Sequence, residues 1–456
     1  MTRLAKPWVA LGLMLVVGIA APAARADEVT DWNQTMLRAG LVAGSSATTM
    51  SRVAAMVQAA VFDAVNGIDG SYSPIMVTPA APSAASRRAA AVQAAYVILS
   101  KLYGPAAFPP PATVPPTAIA AQAAFDARRA VSLAAIAERE RAASIDNGIA
   151  WGQTVADQIW TARLTDGFSV TAPFPDGTAA GQWRRTPNLP VSATLSAPGA
   201  GYRQISEMRP WVMSSVSAFR PAGPPSLNSA TYTKDFNEVK AMGSLSSAVR
   251  TPDQTTYALF WASGTATYLW NRVALSLIEA RHRDRGDADS DEHGGHGRGR
   301  DNLLENARLL GALDLAMADA AIGCWDAKYT YAFWRPITAI REAAGDGNPA
   351  TAADTSWMPL FATPAHPDYP SGHSCVSGAA GAVLASEFRD RIRFTMQSDL
   401  MLGVTRSFTS LSAALDEVKN ARIFAGIHFR TACDDGQVLG AAVAQVVLRE
   451  KFQRVR

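Results

Sequence analysis

Apolar residues recur at helical spacing through most of this sequence, in segments rich in Ala, Leu, Glu, Gln and Arg. These segments run over residues 50–69, 84–103, 118–164, 254–281, 302–334, 372–388 and 433–452. Few runs of alternating β-branched and aromatic residues compete with them. The pattern predicts an all-α fold, a helical bundle with a large apolar core.

Three stretches interrupt the helical pattern, a Pro-rich connector at residues 104–116 and two longer segments that suggest how the chain is organised. Residues 167–225 are rich in Pro, Gly, Ser and Trp, which predicts an ordered surface excursion that could wall a cleft. Residues 282–301 combine charge with glycine and predict a flexible charged loop. An N-terminal helical region at 27–281 and a C-terminal region at 302–456 lie on either side of this loop.

The charged loop also contains histidines and aspartates, which raises the alternative of a metal site. An EF-hand calcium loop needs Gly at its sixth position, where this run has Glu292. His293 and His296 are not followed by the second ligand pair of a zinc site. A flexible polar loop is therefore the favoured interpretation.

The N-terminus resembles an export signal. Arg3 and Lys6 precede an apolar run of 13 residues, Trp8 to Ala20, and small residues follow up to Ala26. The run is shorter than the roughly 20 residues that span a bilayer, so a membrane anchor is disfavoured. We predict a signal peptide at 1–26, a secreted or periplasmic protein and no stable membrane span.

Removal of this signal changes the charge balance. The formal charge of +3 would fall to zero, because Arg3, Lys6 and Arg25 leave and no acidic residue does. A neutral chain lacks the overall field that nucleic acid binding needs, so any anion site must be built locally. An oxidising compartment would also allow one disulfide among Cys324, Cys375 and Cys433, with the pairing left open.

A first cluster of candidate functional residues is KYTYAFWRP, residues 328–336. On one continuous helix, Lys328 and Arg335 would lie two turns and about 10 Å apart on the same face, where they could grip one oxyanion. A solvated surface face, with Pro336 merely ending the helix, is the alternative.

Two further clusters offer donors and imidazoles. In HPDYPSGHS, Ser371 and Gly372 stand at the start of a helix, which favours an anion, and His373 is a titratable group in its first turn. In ARIFAGIHFR, Arg422 offers a planar fork of donors, and His428 lies among apolar residues that predict burial. Taken alone, an N-cap Ser beside a surface His and a satisfied core His would explain these segments as well.

The three clusters in this order and spacing are much more specific than any one of them. The first cluster has Lys and Arg-Pro separated by six residues, the second contains Pro-Ser-Gly-His, and the third has Arg and His separated by five residues. This arrangement resembles the tripartite signature of the vanadium-dependent haloperoxidase and type 2 phosphatidic acid phosphatase (PAP2) superfamily. The upstream segments GQWRRTPN and FRPAGPPSL are similar to the secreted bacterial haloperoxidase branch. The resemblance implies that family's helical bundle, with residues 302–456 as the catalytic region.

For a haloperoxidase, the resemblance implies a vanadate cofactor with His428 bonded to vanadium. His373 would act as general base and then acid on hydrogen peroxide, and Lys328 would polarise the peroxide. The implied cofactor-binding residues are Lys328, Arg335, Ser371, Gly372, His373, Arg422 and His428.

The resemblance also suggests partners and a halide. Trp325 and His366 match halide-side positions, and their combination favours bromide or iodide over chloride, although core packing would also explain Trp325. The expected partners are hydrogen peroxide, halide and a small organic acceptor, with no nucleic acid and with a homodimer as one possibility.

A secreted phosphatase is the alternative function, and it needs no metal. His428 would form a phosphohistidine, and His373 would protonate the leaving group. Phosphatases of this superfamily place an orienting Asp four residues after the histidine, where this chain has Ala432, followed by Asp434 and Asp435. That difference favours the haloperoxidase. A third alternative, an oxyanion-binding protein without turnover, would require that His373 or His428 has no catalytic role.

Overall fold

The structure is a computed structural model that describes residues 27–78, 80–170, 173–196, 201–286 and 302–455. The predicted signal peptide at 1–26 lies outside these residues, and so do residues 287–301 of the predicted charged loop. No helix within the described ranges is long and apolar enough to cross a bilayer.

The described part of the chain is built mainly from α-helices, which confirms the all-α prediction. The helices are α1 Glu28–Val42, α2 Ala47–Asp69, α3 Arg87–Tyr103, α4 Pro116–Ala137, α5 Ala142–Arg163, α6 Ala230–Met242, α7 Pro252–Ser263, α8 Ala266–Gly286, α9 Asn302–Tyr331, α10 Pro336–Glu342, α11 Gly372–Phe388, α12 Leu411–Phe424 and α13 Arg430–Glu450. Two strands, β1 Phe394–Ser398 and β2 Met401–Phe408, form an antiparallel hairpin. Short 3₁₀ turns lie at Pro105–Ala107, Arg203–Glu207 and Ala343–Gly345.

Helix α9 is the centre of the bundle. Its side chains are buried around nearly the whole circumference from Leu303 to Lys328, as expected of a helix that is apolar on every side. It packs against α2, α11 and α13, while α2 also packs against α3, and α3 against α5. The end of α9 therefore delivers Lys328 into the interior of the protein.

Helices α11 and α13 approach each other backbone to backbone. A Cβ on Gly378 would lie 2.4 Å from the carbonyl oxygen of Gln437, and a Cβ on Gly440 would lie 1.9 Å from that of Cys375. Only glycine permits so close an approach. The crossing brings the start of α11 next to the loop before α13, and these segments carry the second and third sequence clusters.

Several boundaries differ from the sequence predictions. Residues 254–281 form two helices, α7 and α8, which separate at Gly264 and Thr265, and the Thr265 hydroxyl accepts a hydrogen bond from the Tyr268 amide at the start of α8. Helix α8 then continues to Gly286, so residues 282–286 are helical rather than part of a loop. Residues 118–164 likewise separate into α4 and α5.

Candidate oxyanion site

A cavity of about 230 Å³ lies at the start of α11. Its wall includes six of the predicted site residues, namely Trp325, His366, Gly372, His373, Arg422 and His428. Lys328, Arg335 and Ser371 are fully buried beside these residues but do not line the cavity. The structure thus brings the three sequence clusters together around one cavity, with six of the predicted residues on its wall and three buried behind them.

The expectation that Lys328 and Arg335 share one helix is wrong. Helix α9 ends at Tyr331, and Ala332 turns the chain with a positive φ of 45°. Arg335 is instead the N-cap of α10, with Pro336 in the first helical position, where its missing N–H has no cost. The surface alternative is also wrong, because neither side chain is exposed.

Lys328 holds the loop that leads into α11. Its ammonium donates hydrogen bonds to the carbonyl oxygens of Pro367 and Asp368, each at 2.9 Å, and to that of Pro370. Burial lowers the pKa of Lys328 to about 8. All three N–H donors of the ammonium therefore contact the backbone of the second cluster.

Arg335 ties the same loop to the third cluster. Its Nε donates to the carbonyl of His366 at 2.7 Å, and its Nη1 donates to the carbonyl of Ile427 at 2.7 Å. Nη1 also lies 3.1 Å from Nε2 of His428. Burial lowers the pKa of Arg335 to about 10, which still leaves the guanidinium charged at neutral pH.

Arg422 differs from these two cations because its donors are largely unused. Within the described part of the chain, its Nη1 makes one 3.4 Å contact with the Trp261 carbonyl, and its buried Nε has no partner. No carboxylate pairs with it among the described residues. A buried guanidinium that faces a cavity without an ion-pair partner fits a site for an anion.

The break between α7 and α8 supplies acceptors to this side of the cavity. The Trp261 carbonyl contacts Arg422, and the Gly264 carbonyl lies 3.3 Å from Nε2 of His373. The last carbonyls of a helix lack intrahelical partners, so they are free to bind side chains. Burial and the nearby Arg422 lower the pKa of His373 well below its ordinary value, which keeps the imidazole neutral.

The start of α11 has the geometry expected of a helix that faces an anion. Ser371 is its N-cap, and Gly372 is its first residue. A Cβ on Gly372 would lie 3.1 Å from the Trp325 ring and 3.9 Å from Cε of Lys328. Any side chain at this position would therefore crowd Trp325 and obstruct the approach to the backbone amide.

Sequence reasoning missed Asp368, which lies inside the second cluster. Its Oδ1 is 2.9 Å from Nδ1 of His428, and both side chains are buried. Burial raises the pKa of Asp368 to about 7, although Arg335 and Lys328 oppose that shift. The signal was present in the sequence as the acidic residue of HPDYPSGHS, which is three positions before Ser371.

The two acidic residues that follow Ala432 have other partners. Asp434 forms an ion pair with Lys419 at 3.2 Å, and Asp435 accepts a hydrogen bond from the Tyr369 hydroxyl at 2.5 Å. Neither contacts His428. The carboxylate that contacts His428 thus belongs to the loop before α11 and not to α13.

The predicted surface excursion contributes to the outer wall of the cavity. The Gly201 carbonyl accepts hydrogen bonds from Nε1 of Trp325 at 3.0 Å and from the Tyr329 hydroxyl at 2.7 Å. Tyr202, the next residue, lines the cavity. Trp325 also lies against His366, with ring centroids 5.0 Å apart, so these two candidates form one aromatic surface.

All three cysteines are free and buried, which leaves no disulfide for the pairing that export would allow. Cys324 contacts Cys375, and Cys433 contacts the hydroxyls of Ser371 and Ser374. No group of three or more His, Cys, Asp or Glu in the described ranges could hold a bare metal cation. Two of the three basic side chains at the site, Lys328 and Arg335, lie near the carboxylate of Asp368.

Comparison with known proteins points to one family. Residues 308–456 match the family model described as "VCPO second helical-bundle domain". Vanadium chloroperoxidase of Curvularia inaequalis is 29% identical over 195 residues, which cover 38% of this chain and 30% of that protein. The chain thus aligns with less than a third of the length of this curated relative.

Solved structures share the fold over nearly the whole chain. The crystal structure of the first bacterial vanadium-dependent iodoperoxidase has a TM-score of 0.71 and 24% identity, over 95% of this chain and 99% of that one. The apo form of a bacterial vanadium-dependent chloroperoxidase has a TM-score of 0.63 and 16% identity, over 89% and 94% of the two chains. At these identities the likeness shows a shared architecture.

Proposed function

We propose, on the premise that this chain belongs to the vanadium haloperoxidase family, that it is a vanadate-dependent haloperoxidase. It would oxidise bromide or iodide to hypohalous acid with hydrogen peroxide and pass the halogen to a small organic acceptor. The observation that carries this proposal is Arg422, a buried cation on the cavity wall with an unfilled donor and no carboxylate. An oxyanion in the cavity would supply the missing negative charge.

The donor set fits vanadate. Arg422 and the Gly372 amide would bind its oxygens from the cavity wall, with the Ser371 hydroxyl and the charges of Lys328 and Arg335 behind them. When bound, vanadate supplies a Lewis-acid centre that activates hydrogen peroxide without a change in its own oxidation state.

Two of the three cavity histidines, His428 and His373, have separate tasks in this proposal. His428 is kept neutral by burial, because its pKa lies well below the ordinary value, so a ring nitrogen can act as a ligand. His373 is also neutral and would take a proton from hydrogen peroxide and later return it. Its contact with the Gly264 carbonyl would hold the ring in place while the proton moves.

The proposed preference for bromide or iodide rests on Trp325 and His366. Their rings form an aromatic surface on the cavity wall, and the Arg335 Nη2 lies 3.0 Å from Nδ1 of His366. Large, polarisable halides lose little hydration free energy at such a surface, whereas chloride is held more strongly by water. The proposed location, secreted or periplasmic, rests on the leader sequence at 1–26.

A phosphatase is the second candidate, and Asp368 is the observation that favours it. The absence of an acidic residue at Ala432 argued against a histidine nucleophile, but Asp368 supplies an equivalent carboxylate to His428. The preference for the haloperoxidase consequently rests on the comparisons rather than on Ala432.

One assay separates the two candidates. The chain is purified without metal and supplied with orthovanadate, and bromination and iodination of a phenol dye with hydrogen peroxide are followed beside hydrolysis of p-nitrophenyl phosphate. We expect vanadate-dependent halogenation, faster with iodide or bromide than with chloride, and its loss in His428→Ala. Phosphatase activity without vanadate, together with no halogenation when vanadate is present, would overturn the proposal.

A further inference from the structure

The carboxylate of Asp368 is fixed between the first and third sequence clusters. Its backbone N–H donates to the Phe333 carbonyl at 2.9 Å, and its carbonyl accepts from the Lys328 ammonium at 2.9 Å. Its Oδ1 lies 2.9 Å from Nδ1 of His428, and neither carboxylate oxygen has a hydrogen-bond partner elsewhere among the described residues. Asp368 therefore connects the end of α9 with the loop before α13 through both its backbone and its side chain.

The carboxylate acts on His428 rather than on the neighbouring cation. Its Oδ1 is 2.9 Å from Nδ1 of His428 but 3.8 Å from Nη1 of Arg335. The short hydrogen bonds of Arg335 go instead to the carbonyls of His366 and Ile427. A structural ion pair with Arg335 thus does not account for the position of Asp368.

This contact selects one form of a neutral imidazole. An ionised carboxylate accepts hydrogen bonds but cannot donate one, so the approach of Asp368 favours the tautomer in which Nδ1 of His428 carries the hydrogen and Nε2 keeps its lone pair. Arg335 Nη1, a donor, lies 3.1 Å from Nε2 and 3.4 Å from Nδ1 of His428, and the shorter of these approaches is compatible with that form. Histidines that bind metals are commonly fixed by such a contact through their other nitrogen.

We infer that Asp368 is a positioning residue that sets the tautomer and ring orientation of His428, so that Nε2 is the nitrogen offered to the oxyanion. The inference rests on the proposed function for the identity of that oxyanion. The chain replaces an acidic residue on α13 with one from the loop before α11, and the same loop is held by Lys328.

The test compares Asp368→Ala and Asp368→Asn with a control, Asp63→Asn. Asp63 is another buried carboxylate, and it accepts the amides of Ile75, Met76 and Val77 away from the cavity. Binding of orthovanadate is measured by equilibrium dialysis, and the tautomer of His428 in the vanadate-free protein is measured by ¹⁵N NMR after histidine labelling. Circular dichroism and thermal unfolding establish that each variant is folded.

We expect Asp368→Ala to weaken vanadate binding by about 10- to 100-fold, as is typical when a group behind a metal ligand is lost. The His428 ring should then populate both tautomers. Asp368→Asn should bind within a few-fold of the wild type, because its amide oxygen still accepts from Nδ1–H, and Asp63→Asn should change unfolding but not affinity.

The inference would be overturned if folded Asp368→Ala kept the wild-type tautomer and affinity, or if Asp63→Asn weakened vanadate binding as strongly. Failure of the proposed function has a different signature. In that case the wild type would not bind vanadate at all, while the NMR comparison on the vanadate-free protein would still show whether Asp368 fixes the ring.

Discussion

Three buried cations lie at the site, and their hydrogen bonds distinguish their roles. Lys328 and Arg335 direct their donors mainly to backbone carbonyls, so they hold segments of the chain in place as well as contributing charge. Arg422 has an unpartnered Nε and faces the cavity. Burial without a partner destabilises a charge, so in the proposed function Arg422 would contribute to ligand binding at the expense of the ligand-free fold.

Replacement of Arg422 should therefore have opposite effects on binding and stability. We expect Arg422→Met to weaken vanadate binding at least 100-fold while leaving the free energy of unfolding unchanged or raised by about 1 kcal/mol. Arg422→Lys should bind about 10-fold more weakly than the wild type, because it keeps the charge but loses the planar fork. Dialysis with vanadate and urea unfolding check both effects.

The matched control for these variants is Arg449→Met, which changes an exposed arginine on α13 whose ion-pair partner among the described residues is Glu450. It should alter neither affinity nor stability beyond about 0.5 kcal/mol. A strong loss of stability in Arg422→Met would contradict the assignment, because it would mean that the guanidinium holds the fold together.

At this scale the sequence predicted most of the site but not its organisation. Motif spacing was sufficient to select His373, Arg422 and His428, which line one cavity. Asp368 was missed because its partner lies 60 positions later in the chain, and such contacts depend on the tertiary fold. Periodicity likewise could not show that α9 ends before Arg335.

Among the elements, the start of α11 depends on its contact with α9. Gly372 lies beneath Trp325, so a methyl group at this position would press on the ring at 3.1 Å. The Trp325 ring and helix α11 must separate by a few tenths of an ångström to accommodate this methyl group. The backbone amide of residue 372 would then move with the helix.

We expect Gly372→Ala to lower both vanadate affinity and halogenation about 10-fold, because small displacements of binding groups are costly in preorganised sites. Gly345→Ala is the control, since a Cβ there would meet no atom within 4 Å. Wild-type affinity in Gly372→Ala would show that the amide does not contribute to binding.

Helices α8 and α9 share a buried acidic contact that makes stability depend on pH. Asp314 is fully buried, and Asn271 donates to it at 2.7 Å. Burial raises the pKa of Asp314 to about 8 from an ordinary value of 3.8. The folded protein therefore binds a proton that the unfolded chain releases, so this group's contribution to stability falls as pH rises from about 4 to about 8.

Asp314→Asn should remove that dependence. Relative to that of the wild type, the free energy of unfolding of the variant should increase by about 1 kcal/mol for each pH unit between pH 5 and pH 7. Urea unfolding at several pH values measures it, and subtraction of the wild-type curve cancels every other titrating group. A pH-independent difference would contradict a protonated Asp314.

Element boundaries were less predictable than the helical character of the chain. The range 372–388 agrees with α11, whereas 254–281 conceals the break between α7 and α8. A local Ser-Gly-Thr sequence marks that break, but the apolar pattern continues across it. The β1–β2 hairpin was missed because only alternate residues of β1 are buried, which makes its apolar signal short and weak.

Across the whole molecule, the three cysteines surround the buried centre that the helices share. Cys324, Cys375 and Cys433 lie on α9, α11 and α13, and all three are buried. They are inaccessible unless these helices separate, so their reactivity should report global unfolding.

We expect Ellman's reagent to modify none of these thiols in the native protein and three per chain after denaturation without reductant. The rate in intermediate urea should follow unfolding measured by circular dichroism. Fewer than three reactive thiols in the unfolded protein would indicate a disulfide, and rapid reaction in the native state would contradict the burial.

The hydrogen bonds of Lys328 have a further consequence for the speed of ligand exchange. Because three backbone carbonyls already hold the ammonium, the loop before α11 is shaped without any ligand, and loading requires no ordering of that segment. Exchange of an oxyanion would then be governed by passage through the cavity, whose wall includes Tyr202 and the start of α2. The time for which an oxyanion stays bound would then depend on its passage through the cavity and not on rearrangement of the loop before α11.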